Sequence, residues 1–261
     1  MSKLFLLERM ITVRLQGGLG NQLFQYAAGL AIRKVTGGTL YFIMFEENVH
    51  NKLGHNYTEL FEGQCHTTLP QTAEVVYNQY SSFEAWEPSI YRGESVFLNG
   101  YFQYLPALLD VLPEIRLSFL KALRNKVGSR GPLPDTGFVH VRRGDYLLNP
   151  TYHWVQPISY YQEGMRLIGA KKWIVLSDDI DWCKQQACFN GSQIVDEPDE
   201  LRAMEMMASC GSGAVISNSS FSWWGAMLGG AERVVYPELW SELHKPTLFP
   251  STWIELSSSS S

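Results

Sequence analysis

The sequence has only four cysteines among 261 residues, no long apolar run and no cluster of basic residues. The cysteines are too scattered for a disulfide framework or a zinc-binding spacing, so we expect reduced and mostly buried thiols. No apolar run approaches the ~18 residues of a membrane span. The amino-terminal MSKLFLLERM meets Glu8 and Arg9 before any small-residue cleavage site, which favours an extension ahead of the first strand over a signal peptide. These absences predict a cytoplasmic location, with peripheral docking at a membrane face left open.

The charge balance argues against a nucleic-acid partner. The net charge of −5 comes from 21 Lys and Arg residues against 26 Asp and Glu residues. Proteins that bind DNA or RNA usually present a basic face, and no Lys- or Arg-rich run is found here. A composition of 45% hydrophobic and 18% charged residues is typical of a folded protein. An anionic small molecule needs only two or three well-placed cations, so an anionic substrate is still compatible with this balance.

Two patterned regions flank the Gly- and Pro-rich segment Gly128–Asp135, which is the best candidate for a linker. Before it, MITVRL and TLYFIMF are typical of buried strands, and NQLFQYAAGLAIRKV between them has apolar residues at helical spacing. Residues 46–95 have little pattern. SVFLNGYFQYL then indicates a strand that enters a helix, and residues 106–126 indicate a helix. After the linker, the predicted strands are GFVHVR, KKWIVLS, SQIVD, GAVIS and RVVYP, and each of the first four is followed by a predicted helix.

Strands that alternate with helices form parallel βαβ units. The sequence therefore predicts an α/β fold of two Rossmann-like domains with parallel sheets. We place these domains at residues 1–130 and 131–261, with a low-complexity serine tail, predicted to be disordered, from about residue 257. Ligands of such folds bind beyond the carboxyl ends of the strands, so the turns from strand to helix are the candidate sites.

The first of these turns is GGLGNQ, residues 17–22. Gly18 and Gly20 form a G-x-G, but Leu23 stands where a dinucleotide-binding fingerprint has its third glycine. The acidic residue that would hold a ribose comes late, at Glu46. A Rossmann oxidoreductase is therefore disfavoured. A turn that lets a ligand approach the backbone fits, with the Asn21 amide at the helix start, and tight packing of strand on helix explains the glycines equally well.

The second turn is HVRRGDY, residues 140–146, at the end of a predicted strand. Adjacent Arg142 and Arg143 are costly to bury unless they meet anions, and a diphosphate suits the planar, bidentate guanidinium. His140 shares a strand face with Arg142. Gly144 allows close approach of the backbone. Asp145 has two open interpretations: it orients an arginine, or it accepts a proton from a substrate.

The third turn is SDDID, residues 177–181, which contains Asp178, Asp179 and Asp181. Asp179 and Asp181 form a D-x-D, the spacing with which many glycosyltransferases bind a divalent metal that bridges a diphosphate. The other interpretation is that these carboxylates cap the following helix or hold ribose hydroxyls or a base edge. We favour this metal-free interpretation, because arginines that neutralise a diphosphate make a metal redundant.

The fourth turn is SNSSFSWWGA, residues 217–226. Small hydroxyl residues and an asparagine at a helix start offer backbone N–H groups and hydroxyls to an anion. An N-cap followed by a buried aromatic helix is the alternative, and the two are compatible. We expect Trp223 and Trp224 to be core residues and not platforms for a sugar.

These segments, in this order, resemble the α-1,2-fucosyltransferase family, glycosyltransferase family 11. HVRRGDY is the most specific element, and GGLGNQLFQYA, NGYFQY and SNSSFSWWGA support it. The likeness extends from Met10 to about Tyr236. It implies a GT-B type fold of two facing Rossmann-like domains, with residues 1–130 on the acceptor side and residues 131–261 binding a GDP-sugar. Residues 46–95 contain none of these motifs, and we expect acceptor recognition to lie there.

The resemblance implies an inverting transferase of carbohydrate metabolism that moves L-fucose from GDP-β-L-fucose to the 2-hydroxyl of a terminal galactose. The acceptor would be an oligosaccharide or a glycolipid, and neither a metal nor another cofactor is expected. Alternatives are another guanine-nucleotide sugar or linkage, an oxidoreductase, and a non-catalytic sugar-binding module. The resemblance implies catalytic roles for Arg142, Asp145 and Asn21. The predicted donor-binding residues are His140, Arg142, Arg143, Asp178, Asp179, Ser219, Ser220, Phe221, Gly18 and Gly20.

Overall fold

The computed structural model describes residues 9–44, 53–65, 75–78, 85–90, 95–150, 153–240 and 247–257. The chain forms two compact units, residues 1–119 and 120–261. The domain boundary at residues 130/131 stays a prediction. The amino-terminal extension, the last four serines of the tail and most of the unpatterned segment 46–95 lie outside the described residues.

The first unit contains a five-stranded parallel sheet in the order β3-β2-β1-β5-β4. Short 3-10 helices lie at Tyr57–Leu60 and Pro88–Ile90. The remaining elements, in chain order, are β1 (Met10–Arg14), α1 (Leu19–Thr36), β2 (Thr39–Ile43), β3 (Gln64–Cys65), β4 (Val75–Asn78), β5 (Ser95–Asn99) and α2 (Leu105–Leu108). Helix α3 (Leu112–Val127) begins in this unit and contains the boundary at residues 119/120.

Helix α1 forms the core of the first unit because it is apolar around most of its circumference. From Leu19 to Ile32 every residue except Asn21 is buried. Gly29 lets the helix approach the sheet closely, since a Cβ there would lie 2.8 Å from Val13 Cγ2. The helix ends before Gly37, whose φ of 72° suits a residue without a Cβ.

The second unit contains a six-stranded parallel sheet in the order β11-β10-β9-β6-β7-β8. Short 3-10 helices lie at Asp145–Leu148 and Ala187–Phe189. The remaining elements are β6 (Thr136–Val141), α4 (Ile158–Ile168), β7 (Lys172–Ser177), α5 (Ile180–Lys184), β8 (Gln193–Val195), α6 (Glu200–Ser209), β9 (Gly213–Val215), α7 (Ser220–Gly229), β10 (Val234–Pro237) and β11 (Ile254–Leu256).

Strand β6 is central in this sheet, and all six of its residues are buried. Helix α4 crosses close to the sheet at Gly164, where a Cβ would lie 2.7 Å from Val215 Cγ1. In α7, Trp223 and Trp224 are fully buried and meet edge to face with ring centroids 5.0 Å apart. The prediction that these tryptophans are core residues is confirmed.

The α/β prediction is confirmed, since the strands within each sheet are parallel and helices lie between strands along the chain. Two details of the predicted elements are wrong. Residues 106–126 form α2 and α3 and not one helix, because Pro113 has no N–H to donate to the carbonyl of Leu109 and its ring clashes with that carbonyl in a continuous helix. Strand β11 follows the predicted last strand. Strands β3 and β4 lie in the unpatterned segment and are too short to show a period.

The thiols are partly as expected. Cys183 and Cys210 are buried, and burial raises their pKa values to about 11 and about 12, so both are neutral and weakly nucleophilic at pH 7. Cys65, in contrast, is exposed, which corrects the expectation for that residue. Among the helices of the described ranges, none combines the length and apolar character required to cross a bilayer.

Candidate functional site

Three of the four candidate turns lie at one edge of the second sheet. Strand β6 lies between β7 and β9, and all three run parallel, so their carboxyl ends share that edge. The register pairs Val141 with Ser177, the last residues of β6 and β7. The turns HVRRGDY, SDDID and SNSS are therefore neighbours, although long stretches of chain separate them.

Arg142 extends from the end of β6 between two carboxylates. Its Nη2 lies 2.8 Å from Asp145 Oδ1, and its Nη1 lies 3.2 Å from Asp178 Oδ2. The guanidinium carbon also lies 5.4 Å from the centroid of the Tyr146 ring. The side chain is partly buried, so solvent screens these contacts only in part. Arg142 thus has a fixed position and keeps part of its charge accessible.

Arg143 is held by different partners. Its Nε lies 3.0 Å from Asp179 Oδ2, and its guanidinium lies over the Trp182 ring, 4.0 Å from the centroid. Its backbone N–H donates to Asp178 Oδ1 at 2.8 Å. A cation over an indole face with an ion pair alongside is favourable and leaves little guanidinium surface free. The two arginines therefore differ in environment: Arg143 is covered by Trp182 and is 16% exposed, whereas Arg142 is 26% exposed.

Two aspartates of the SDDID turn, Asp178 and Asp179, hold the arginine turn in place. Asp179 Oδ1 accepts the backbone N–H of Trp182 and caps α5, as the helix-cap interpretation predicts. Asp178 lies against Gly144, where a Cβ would come within 2.8 Å of its Oδ2. A larger residue at position 144 would displace this carboxylate. Gly144 is therefore required for the approach of Asp178, whatever ligand the turn binds.

His140 is buried at the end of β6. Its Nδ1 lies 2.9 Å from Ser217 Oγ, and its ring centroid lies 5.7 Å from that of Phe221. Burial, and secondarily the charge of Arg142, lower the pKa of His140 to about 3. The imidazole is therefore neutral at physiological pH, and its place beside Ser217 and Phe221 indicates a role in shaping the site and not in proton transfer.

This burial makes stability depend on pH. Between pH 6.5 and about 3, the unfolded chain binds a proton on His140 that the folded protein excludes, so stability falls as the pH falls. We expect the free energy of unfolding of the wild type to fall by up to about 1.4 kcal/mol per pH unit more steeply than that of His140→Asn. Urea titrations at several pH values measure both slopes, and equal slopes in the two proteins would contradict a buried neutral imidazole.

The SNSS turn is anchored through its backbone. The Tyr146 hydroxyl donates to the Asn218 carbonyl at 2.9 Å, and Asn218 Nδ2 donates to the Trp240 carbonyl at 3.0 Å. Ser219 is the N-cap residue of α7 but makes no side-chain capping bond. Ser220 and Phe221 follow it and are partly exposed. The turn thus presents Ser220 and the Phe221 ring at the sheet edge that carries the arginines, whereas Ser217 and Ser219 are buried.

The remaining candidate turn, GGLGNQ, belongs to the first unit. Gly17 has a φ of 74°, and a Cβ there would lie 2.7 Å from Asn21 Nδ2. Gly18 is the N-cap residue of α1, and Gly20 is buried in its first turn. Asn21 Oδ1 accepts a hydrogen bond from Gln103 Nε2 at 3.0 Å. This bond brings GGLGNQ together with NGYFQY, which the sequence alone did not link.

Two glutamines of α1 fix this turn from within the core. Gln25 Oε1 accepts the backbone N–H of Gln16 at 2.9 Å, and its Nε2 donates to the Gln16 carbonyl at 3.3 Å. Gln22 Nε2 donates to the Gly17 carbonyl at 2.9 Å. Both glutamines are buried. Asn21 is thus held on a rigid helix start, with its neighbours on both sides in the core.

Sequence reasoning assigned no individual role to four residues that make contacts in these turns, although three of them belong to the segments that it singled out: Trp182, Tyr146, Ser217 and Gln103. Trp182 lies three residues after Asp179, which is the spacing of a helix cap. This spacing could have indicated the hydrogen bond from the Trp182 N–H to the Asp179 carboxylate. Ser217 lies two residues after the end of β9, the strand next to that of His140. No local signal links Gln103 to Asn21, because the two residues are 82 positions apart.

The family model described as "Glycosyl transferase family 11" matches residues 2–240. The chain is 35% identical to the O-antigen biosynthesis glycosyltransferase WbnK of Escherichia coli over 136 residues, 47% of this chain and 45% of that protein. It is 26% identical to an alpha-1,2-colitosyltransferase of Escherichia coli over an alignment of 292 positions, 94% of this chain and 98% of that protein. A galactoside 2-alpha-L-fucosyltransferase of Bos taurus is 27% identical over 253 residues, 85% of this chain and 65% of that protein. The chain thus spans less than two thirds of the first and third relatives.

A solved structure with a similar fold is that of NodZ alpha-1,6-fucosyltransferase soaked with GDP-fucose. The TM-score is 0.53 at 16% sequence identity, with 89% of this chain and 96% of that chain covered. At this identity the likeness shows the fold alone. Together with the two parallel sheets, it confirms the predicted GT-B type fold.

Proposed function

Because the chain belongs to glycosyltransferase family 11, we propose that it transfers L-fucose from GDP-β-L-fucose to the 2-hydroxyl of a terminal galactose, with inversion. Fucose and the α-1,2 linkage are supported by the names of the relatives: one is a galactoside 2-alpha-L-fucosyltransferase and another an alpha-1,2-colitosyltransferase. NodZ, with GDP-fucose soaked into its crystals, supports a guanine-nucleotide donor. The acceptor would be a galactose-terminated oligosaccharide or glycolipid.

The observation that carries this proposal is the position of Arg142 at the carboxyl end of β6. In a single-step transfer, the acceptor oxygen forms a bond to the anomeric carbon while the bond from that carbon to the β-phosphate oxygen breaks. The electron pair of the broken bond goes to GDP, so the diphosphate gains negative charge in the transition state. A preorganised guanidinium stabilises this charge more than it stabilises the ground state. Arg142 has the charge and the partial exposure for this role.

The acceptor hydroxyl loses its proton in the same reaction. A carboxylate within hydrogen-bond reach is the usual acceptor of such a proton. Asp145, at the open side of the arginine turn, is the candidate within the motifs. Its contact with Arg142 equally supports an orienting role, so both roles belong to the proposal as alternatives. Asn21, held by Gln103 in the first unit, is the candidate catalytic residue on the acceptor side, where its amide would hydrogen-bond the substrate and not take up the proton.

The other donor-site residues follow from their positions at the same sheet edge. Ser219, Ser220 and Phe221 offer hydroxyl groups and a ring at the start of α7, where backbone N–H groups favour phosphate or hydroxyl oxygens. His140 packs against the Phe221 ring and so supports the start of α7. Gly18 and Gly20 belong to the start of α1 in the first unit, where they allow a ligand to approach the backbone.

Transfer without a metal is part of the proposal. Both oxygens of Asp179 are already engaged, one by Arg143 and one by the N–H of Trp182. Asp181, the other member of the D-x-D, is exposed and lies 3.3 Å from Lys184. A metal at this pair would have to displace Arg143 from Asp179. Two fixed arginines near the diphosphate supply the positive charge that a metal gives other glycosyltransferases.

A second candidate donor is GDP-colitose. It is favoured by one specific observation: the alpha-1,2-colitosyltransferase is aligned over 94% of this chain and 98% of its own length. Colitose is fucose without the 3-hydroxyl, so the two donors place the same diphosphate on the same arginines. Discrimination then depends on contacts with one hydroxyl group, which enzymes achieve when that hydroxyl is hydrogen-bonded in the site.

The test is incubation of the protein with GDP-fucose and a β-galactoside, with excess EDTA in half of the reactions and the products resolved by linkage. We expect an α-1,2-fucosylated product at the same rate with and without EDTA. GDP-colitose in place of GDP-fucose is the parallel arm that separates the two donors. Loss of activity in EDTA that Mn²⁺ or Mg²⁺ restores would overturn the metal-free proposal. Failure of both donors with galactosides would overturn the donor and acceptor assignments.

A further inference from the structure

Arg142 has two carboxylate partners that differ in how they are placed. Asp178 is 20% exposed, and it also accepts the backbone N–H of Arg143 and lies against Gly144. It is therefore tied to three consecutive residues of the turn. Asp145 is 44% exposed, and it follows Arg142 by three residues in the same turn. One partner is thus built into the sheet edge, whereas the other lies on the solvent side.

An incoming diphosphate needs donors on Arg142. The guanidinium is planar, and its Nη1 and Nη2 atoms each face one of the two carboxylates. A phosphate oxygen competes best for the donor whose present partner is most exposed, because a solvated ion pair contributes little to stability. That donor is the Nη2 atom, which faces Asp145. The contact with Asp178 is more enclosed and has a backbone hydrogen bond beside it.

We propose that Arg142 exchanges one carboxylate partner when the donor binds: the diphosphate replaces Asp145, while Asp178 stays and positions the guanidinium. This inference rests on the proposed function and specifies how its donor site operates. Asp178 is a positioning residue, since it acts through Arg142. Asp145 competes with the diphosphate for the same cation and is set free in the donor-bound protein.

The exchange predicts opposite effects of two equivalent substitutions. Asp145→Asn removes a competitor for Arg142, so GDP binds more tightly. Asp178→Asn keeps an oxygen for the N–H of Arg143 but removes the charge that holds the Arg142 guanidinium, so GDP binds more weakly. Loss of one negative charge near an anion would by itself tighten binding in both variants. The opposite sign therefore distinguishes exchange from a general electrostatic effect.

The experiment is isothermal titration calorimetry of the full chain with GDP and, separately, with guanosine, which has no phosphate. We expect Asp145→Asn to bind GDP about two- to fivefold more tightly than the wild type. We expect Asp178→Asn to bind GDP about tenfold more weakly or worse. Asp135→Asn is the matched control, because this carboxylate belongs to the same unit but is 62% exposed, pairs with Lys171 and lies just before the start of β6, away from the carboxyl ends of the strands. Its GDP affinity should equal that of the wild type, and guanosine should bind all four proteins alike.

Each outcome decides the matter. If the wild type binds GDP and Asp145→Asn binds it equally or more weakly, the exchange is wrong while the proposed function stands. If the wild type does not bind GDP, the donor assignment and the exchange both fail. Two measurements separate misfolding of Asp178→Asn from the loss of one contact. A thermal melt shows whether the variant is folded, and misfolding would lower its affinity for guanosine as well as for GDP. Should this variant not fold, Arg142→Ala and the double variant Arg142→Ala/Asp145→Asn decide: exchange predicts the same GDP affinity in both, because Asp145 then has no guanidinium to compete for, whereas tighter GDP binding by the double variant would overturn the exchange.

Discussion

Replacement of Arg142 by alanine is expected to lower the transfer rate constant kcat by about 10²-fold or more while leaving the fold intact. This is the magnitude found when one preorganised group that stabilises transition-state charge is removed. The side chain is partly exposed, and its two partners, Asp145 and Asp178, both reach solvent, so its loss strands no fully buried charge. The effect should appear in kcat as well as in donor affinity, because the diphosphate gains charge as the bond breaks.

The measurement is steady-state kinetics with GDP-fucose and a galactoside, with circular dichroism to check folding. Arg166→Ala is the matched control: this arginine belongs to the same unit, is exposed and contacts Glu163 on its own helix. It should keep the kinetics of the wild type. Arg142→Lys should fall between the wild type and the alanine variant, because lysine restores charge without the planar pair of donors. A folded Arg142→Ala protein with near-normal kcat would remove Arg142 from the mechanism.

Replacement of Trp223 by alanine is expected to lower the free energy of unfolding by about 3–5 kcal/mol. The ring is 0% exposed and meets those of Trp224 and Trp253, and its indole N–H donates to the Leu248 carbonyl at 3.0 Å. Removing it leaves a large cavity and an acceptor that loses its donor. Since α7 begins with the SNSS turn, the donor site should loosen as the helix loses its packing.

Urea denaturation followed by circular dichroism measures this change. Trp154→Ala is the matched control, because Trp154 is 44% exposed, and its free energy of unfolding should change by no more than about 0.5 kcal/mol. Trp223→Phe keeps most of the packing but loses the N–H donor, so an intermediate loss of about 1–3 kcal/mol is expected. Equal stability of Trp223→Ala and Trp154→Ala would show that the tryptophan pair does not hold α7 in place.

The predictions from sequence were most successful where one short segment contains the whole signal. HVRRGDY combines an apolar strand with two cations at its end, so the strand β6 and the position of Arg142 and Arg143 at its carboxyl end followed from local residues, whereas their binding of a diphosphate stays a prediction. Predictions were poorest in the segment 46–95, where the strands β3 and β4 are two and four residues long. A period of two cannot be recognised in so few residues.

The role of the SDDID turn shows a different limit. Its aspartates were interpreted as helix caps or as ligands of a ribose, a base or a metal, and the cap was found for Asp179. Their contacts with Arg142 and Arg143 were not predicted, because Arg143 and Asp178 are 35 residues apart. Charged residues of opposite sign occur throughout the chain, and spacing along the sequence does not tell which of them meet.

The sequence by itself determined that strands and helices alternate, that the sheets are parallel, and that polar residues follow the ends of particular strands. These properties depend on local patterns of apolar residues and on turn residues. Only the tertiary structure decided that HVRRGDY lies between SDDID and SNSS. It also decided that Arg142 pairs with the more enclosed Asp178 and with the more exposed Asp145. The reason is that the order of strands in a sheet is set by how helices pack on its two faces, and a βαβ unit of the same pattern allows its next strand to pair on either side.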